Sequence, residues 1–361
     1  MLFHLNRFIP IAEKIIPRRT GIPILTNICF ADSKIIATDL DMTLVMKTGH
    51  NLNLTVPMNI LKLVIKSKPK TLNFEKLSDG KAKINYDNKS ISFNSEDVSE
   101  FPNFPKGKFK TVAMWSKEVI KTLHDQLPYC STDETRMTLN GVYVNQNHHI
   151  ETCATSGHVL KLIKDIDPEK KSKLSADFTG IIPKRVLQIL SRFVLKEVNV
   201  AVREDQFRFT LDKDLELFVR KIEGEYPKYE NVIPKEHSGS VHFDKDEMLA
   251  IIKDAINFTN RRDHLAIFLI GKDEILISAE DLETETKWQG SLAVSDLSGK
   301  ENMNIGINLE LLEKVLKGIG SKQVVWIYDS PNSPLLFSDN GESGKEVINL
   351  LMPVRLEDSD G

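Results

Sequence analysis

A short stretch early in the chain has the spacing of phosphoryl-transfer chemistry. After the apolar pair Ile35-Ile36 comes Ala37-Thr38-Asp39-Leu40-Asp41-Met42-Thr43, an Asp-x-Asp-x-Thr pattern at the end of an expected strand. In such a site Asp39 would attack phosphorus, Asp41 would act as general acid and base, and magnesium would neutralise charge. That chemistry also needs a later lysine and a paired acidic motif on neighbouring parallel strands, and no Gly-Asp-x-x-x-Asp segment supplies the second part. "HHIETC" at 148–153 puts His149 and Cys153 on one face of a strand, but two ligands do not make a metal site. "SDNGESG" at 338–344 reads as a glycine-containing loop without the Lys-Ser/Thr ending of a phosphate cradle. No Gly-x-Ser-x-Gly elbow occurs. These residues predict no catalytic centre, no metal and no cofactor.

Composition limits what must position such groups. The chain has 361 residues, 41% hydrophobic and 27% charged, enough for two or three globular domains. Its three cysteines, Cys29, Cys130 and Cys153, lack CxxC spacing, so neither a disulfide framework nor structural zinc is expected. "MLFHLNRFIP" has no long apolar core, and no run approaches the roughly 18 residues of a membrane span. The expectation is a reduced, cytoplasmic protein. A net charge of −3 argues against a generally basic nucleic-acid binder but leaves room for one positive surface.

The chain repeats itself. "VPMNILKLVIKSKPKTLNF" (56–74), "IPKRVLQILSRFVLKEVNV" (182–200) and "INLELLEKVLKGIGSKQVV" (307–325) each open with an aliphatic residue followed by a helix-start residue: Pro57, Pro183 or Asn308. Apolar residues at helical spacing follow, then strand-like runs. Phe101-Pro102, Tyr226-Pro227 and Met352-Pro353 close these runs, again 125 or 126 residues apart. In the other half of each unit, helical stretches at 7–19, 116–126 and 244–262 lead into paired strands. The period predicts an α+β chain of three domains: 1–112, 113–238 and 239–361. The positions equivalent to Asp39 read "ATSGH" and "AEDLET", which makes the aspartates turn residues of the repeat.

Charge follows the repeat. The six expected helical stretches, with 57–70, 183–196 and 308–322 completing the set, hold 21 Lys or Arg against 9 Asp or Glu. The remainder holds 27 against 42. Positive helices and negative strands describe a surface that attracts a phosphate backbone without reading bases.

Taken in order, "GIPILTNICF", "ATDLDMTLV", "STDETRMTLNGVYV", "ATSGHVLKL", "EYPKYENVIP" and "LLMPVRL" resemble the bacterial sliding clamp family, the β subunit of DNA polymerase III, over nearly the whole chain. The resemblance implies three clamp domains per chain, with helices lining a central channel and antiparallel sheets outside. It implies a head-to-tail homodimeric ring, since a heterologous contact whose rotation closes gives a ring. It implies a DNA replication processivity factor that encircles double-stranded DNA without sequence preference and tethers polymerase and clamp-loader subunits through short peptides, with no membrane association. Positions matching those that face DNA are Arg19, Arg136, Lys184, Arg185 and Arg192. Those matching the partner-peptide pocket are Leu139, Thr155, Gly157, His158, Leu160, Pro227, Val232, Ser333, Met352, Pro353 and Arg355, and Phe258 matches a dimer-interface position. Ser156 and Val159 replace the usual Asp and Arg around Gly157-His158, Asn231 replaces a pocket Arg, and Asn257 replaces an apolar interface residue. The segment before "GIPIL" is short and contains Pro10 and Pro17, which predicts a short or irregular first helix. The alternatives are a monomeric clamp-like adaptor or decoy that binds replication proteins without encircling DNA, and a phosphatase using Asp39 and Asp41.

Overall fold

Apolar residues at i, i+3 and i+4 form helices at all six expected places, but shorter ones. The computed structural model describes residues 1–105, 107–167, 171–339 and 346–356. Among them are the α-helices α1 (Leu2–Ala12), α2 (Met58–Lys66), α3 (Lys117–Asp125), α4 (Lys184–Phe193), α5 (Lys245–Ala255) and α6 (Leu309–Lys317). Most of the loop expected at 338–344 and all of the acidic tail 357–361 lie outside the described residues.

The first helix departs most from expectation. It spans 2–12 instead of 7–19, and Pro10 lies inside it. A proline there leaves the Asn6 carbonyl without its helical donor. Buried Leu5, Phe8, Ile9, Ile11 and Ala12 hold the helix by packing. Lys14, Arg18 and Arg19 fall beyond its end. As formed, the six helices carry 12 Lys or Arg against 7 Asp or Glu. The excess is uneven: α2 and α4 contain no acidic residue, whereas α5 has more acid than base.

The other helices show why their sequences stop and start where they do. In α4, Val186, Leu187, Ile189 and Leu190 are buried while Arg185 and Arg192 are exposed. Asn308 caps α6 by accepting the Leu311 amide at 2.9 Å. Asp244 caps α5 by accepting the amides of Asp246 and Glu247. Those bonds, with the Lys322 ammonium 3.2 Å away, hold the Asp244 carboxyl below its usual range.

In chain order, a helix or a strand leading into one, three strands, another strand leading into a helix, and three more strands occur three times. The described residues divide into two compact units: 1–120 with 171–177 and 185–221, and 121–170 with 178–184 and 222–361. Each has a nine-stranded antiparallel sheet. In the first unit, Leu215–Arg220 pairs with Met42–Lys47. In the second, Val159–Lys164 pairs with Glu346–Leu351. Hydrogen-bonded sheets therefore run across the places where the repeat changes, and strands of the middle repeat are shared between both units. A three-stranded sheet (Leu72–Lys76, Lys81–Tyr86, Lys89–Asn94) completes the first unit, and a four-stranded sheet ending at Thr286–Ala293 and Met303–Asn308 completes the second.

In the second unit a buried polar tie fastens sheet to helix. The Tyr129 hydroxyl, fully buried, donates to Asn349 Oδ1 at 2.9 Å and lies 3.2 Å from the Val315 carbonyl of α6. Lys161 Nζ donates to the Gly318 carbonyl at 2.6 Å, just past the end of α6.

Candidate functional site

The turn Thr155–Val159 is built by its own side chains. Thr155 Oγ1 donates to the Val159 carbonyl at 2.7 Å and accepts the Gly157 amide at 3.0 Å. Gly157 has φ +93°, a backbone that side chains disfavour. The His158 carbonyl accepts the Met352 amide at 2.8 Å, which brings two segments nearly 200 residues apart to one edge. Below them Cys153, Leu160, Leu162, Tyr229 and Leu350 form a buried apolar floor, with Met352 and Tyr226 packed against it.

The motif around Pro227 is pinned to this floor from both sides. The Tyr226 hydroxyl donates to the Cys153 carbonyl at 3.2 Å, and that of Tyr229 to Glu151 Oε1 at 2.6 Å. Burial and the adjacent carboxylate push the Tyr229 hydroxyl well above its ordinary range, so it stays a donor. The Tyr226 ring stacks on Tyr143 with centroids 4.9 Å apart. Thus Thr155, Gly157, His158, Leu160, Pro227 and Met352 share one neighbourhood. Leu139 is buried in the one-turn helix Met137–Leu139, Val232 is 46% exposed at the end of another such turn, and Ser333 hydrogen-bonds Ser330 at 2.6 Å. Pro353 is half-buried and Arg355 exposed beyond the last strand. Phe258, 37% exposed, ends the short helical turn after α5.

The five basic positions divide between the units. Arg19, Arg185 and Arg192 belong to the first, Arg136 and Lys184 to the second. Arg19 and Arg192 are exposed. Arg185 is occupied: its guanidinium donates to Asp39 Oδ2 at 2.7 Å and to the Lys14 carbonyl at 3.1 Å.

That pair also explains Asp39. Its other carboxylate oxygen accepts the amides of Asp41 (3.1 Å) and Met42 (2.7 Å), and its side chain is only 9% exposed. Thr38 donates to the Met42 carbonyl as Thr155 does to Val159, and Leu40 takes φ +80° where Gly157 has +93°. Asp39 is a turn former with both oxygens engaged. His149 is exposed and Cys153 buried, and no cluster of potential metal ligands occurs among the described residues. Burial pushes the Cys29 and Cys130 thiols up to about 12, which leaves them protonated.

A cavity of about 540 Å³ lies in the second unit. It is lined by Arg136, Lys184 and Lys314, by Ser156 and His158 of the glycine turn, and by Asp133. Sequence reasoning separated Arg136 and Lys184 from His158; the fold puts them around one space. It gave Lys314 no role, because a lysine on α6 has the pattern of any solvated helix face.

Residues 116–228 match the family described as DNA polymerase III beta subunit, central domain. A beta sliding clamp of Rickettsia bellii is 25% identical over 380 residues, covering 96% of each chain. One from Synechocystis is 26% identical over 279 residues, covering 72% of this chain and 69% of that protein. Over residues 116–228 the chain thus matches that family's central domain, and along almost its whole length it is similar to beta sliding clamps. Its fold agrees: the beta chain from Streptococcus pneumoniae superposes with a TM-score of 0.86 at 19% identity, over 98% of this chain and 97% of that one. The C. crescentus beta sliding clamp, with polyethylene glycol in a proposed beta-motif tethering region, gives 0.85 at 23% identity over 98% of both.

Proposed function

We infer that this chain is a DNA sliding clamp, a processivity factor that encircles duplex DNA and tethers a polymerase and other DNA-processing proteins. The observation that carries this reading is the likeness to beta sliding clamps along almost the whole chain, in sequence and in fold. On this reading the chain has three clamp domains, 1–112, 113–238 and 239–361, and pairs head to tail into a ring whose helices face the DNA. Among the described residues Lys89–Asn94 of the three-stranded sheet and Thr286–Ala293 of the four-stranded sheet pair on one side only, and pairing with a second copy would protect those edges. Phe258 belongs to that interface.

The mechanism is topological and makes or breaks no bond. Arg19, Arg136, Lys184 and Arg192 supply loose, sequence-independent attraction for phosphates, and Arg185 supports it from its tie to Asp39. Such attraction screens readily, so the ring slides. The groove between the glycine turn, Leu160, Pro227 and Met352 takes a short peptide from a polymerase or clamp-loader subunit. Apolar anchors fill the preformed floor, and exposed Val232 and Arg355 with Ser333 and Pro353 border it. Loading requires a separate ATP-driven loader. The protein works in the cytoplasm; no helix among the described residues is long and apolar enough to cross a membrane.

Negative-stain averages of the purified protein at micromolar concentration test the reading. A six-lobed ring with a duplex-sized hole is the expected result. Three-lobed arcs at every concentration would overturn encirclement and favour an adaptor that binds replication proteins as a monomer.

A further inference from the structure

We propose that the first unit carries a binding surface for single-stranded nucleic acid, built where cations lie on aromatic rings across its nine-stranded sheet. The proposal goes beyond the clamp reading and does not depend on ring closure, because every residue in it belongs to the first unit. The repeat excludes a second peptide groove at this place. The Arg220 amide donates to the Asp41 carbonyl at 2.8 Å, as the Met352 amide does to that of His158. Yet the positions held by Met352 and Leu160 in the groove are taken here by Arg220 and Thr43. The hydrogen-bonding frame is kept, and a cation and a hydroxyl replace its apolar anchors.

Phe207 and Phe209 are fully buried, so Gln206 and Arg208, which alternate with them, stand on the opposite face of the strand. There Arg208 lies across from Phe218, and Gln206 across from Arg220. The Phe109 ring meets that of Phe218 edge-on, with centroids 5.6 Å apart. The guanidinium carbons of Arg203 and Arg208 lie 5.0 and 5.2 Å from the Phe109 centroid. Phe104 packs on the same apolar cluster as Phe109, with Lys34 Nζ 4.1 Å from its centroid. The array crosses five neighbouring strands, from Glu197–Val202 to Lys34–Thr38, about 19 Å at the usual strand spacing. Asp205 binds Arg203 at 2.7 Å, whereas Glu216 stays 3.7 Å from Arg208 Nη1. Arg208 Nε is buried and has no acceptor among the described residues, and buried Gln206 Oε1 on the same face has no donor. Buried polar atoms left open are costly, and a ligand closes them. Nucleic acid supplies both partners, since phosphate oxygens accept and bases donate. Aromatic rings and arginine planes reach base faces only in an unpaired strand, because a duplex keeps those faces stacked inside. An acidic polypeptide would use the charge and leave the planes unused.

Anisotropy of labelled oligothymidylate and oligouridylate of about 20 residues, long enough for a strand-binding site, tests this on the full-length protein. Wild type is compared with Arg208→Gln, Phe109→Leu and Arg192→Gln, each first checked for a native circular dichroism spectrum. The expected result is salt-dependent binding of both single strands by wild type. Arg208→Gln and Phe109→Leu should each weaken it about tenfold, the scale of a lost charged hydrogen bond or base stack, and leave duplex binding unchanged. Arg192→Gln should leave single-strand binding unchanged. The tighter of the two strands names the source, DNA or RNA. No single-strand binding by wild type at low salt would overturn the proposal. So would binding that falls with Arg192→Gln and survives the other two substitutions, which would put the strand on α4. If polyglutamate displaces the strand and Phe109→Leu changes nothing, the surface serves acidic proteins and the proposal is wrong.

Discussion

Arg185 and Arg192 lie on the same helix, seven residues apart, and the structure engages them unequally, which on the clamp reading predicts unequal contributions to DNA binding. Arg192 is exposed, and its guanidinium carbon lies 5.6 Å from the Phe193 ring centroid. Arg185 is held 2.7 Å from Asp39, whose carboxylate already cancels its charge. Each phosphate neutralised by a free cation contributes about 0.9 to the slope of log affinity against log salt. Raising salt fourfold then weakens binding by about 3.5-fold per contact. Arg192→Gln should lower the slope by nearly that full unit. Arg185→Gln should lower it by less than half as much, since the arginine must leave Asp39 to serve a phosphate. The assay is anisotropy of a labelled 30-base-pair duplex across a salt series, with both variants first checked for a native circular dichroism spectrum. Equal slope changes would mean that the Asp39 pair does not persist in solution. An unchanged slope for Arg192→Gln would remove α4 from the DNA-facing surface.

Other consequences are open to simpler measurements. Phe258→Glu should convert dimers to monomers in size-exclusion chromatography with light scattering, and a variant that remains fully dimeric would take Phe258 out of the interface. Tyr129→Phe should destabilise by about 1–3 kcal/mol, because buried Asn349 Oδ1 loses its donor; an unchanged denaturation midpoint would show that the tie contributes nothing. The Asp244 carboxyl is held below its ordinary 3.8, chiefly by the Glu247 amide, so its stabilising effect is complete above that value and fades as pH falls through the lower folded value. Asp244→Ala should therefore melt below wild type at pH 7, with the gap closing in strong acid. A gap independent of pH would refute the charged cap.

Much of the fold was legible because its signals are local. Helix starts at Pro57, Pro183 and Asn308, apolar spacing in α4 and the recurring Pro102, Pro227 and Pro353 all depend on neighbours within one or two turns. The helix ends were less legible. At the N-terminus the helical stretch expected at 7–19, already marked as short or irregular by Pro10 and Pro17, formed as 2–12, because the packed face is Leu5, Phe8 and Ile9 and burial set the span. The glycine turn of the groove could be read from "ATSGH", since Thr155 and Gly157 act on their own backbone. Lys314 could not be assigned, because nothing near it in sequence distinguishes a lysine over a cavity from one over water.

The chain's order therefore determined its repeats, its secondary structure and the turn chemistry of Asp39 and Thr155, for which the forces act over a few residues. Tertiary structure decided which distant charges meet. It spent Arg185 on Asp39, left Arg192 exposed, and gathered Arg136, Lys184 and Lys314 around one cavity. Coulomb forces between side chains depend on distances in space, and those exist only once the sheets have paired across the repeats.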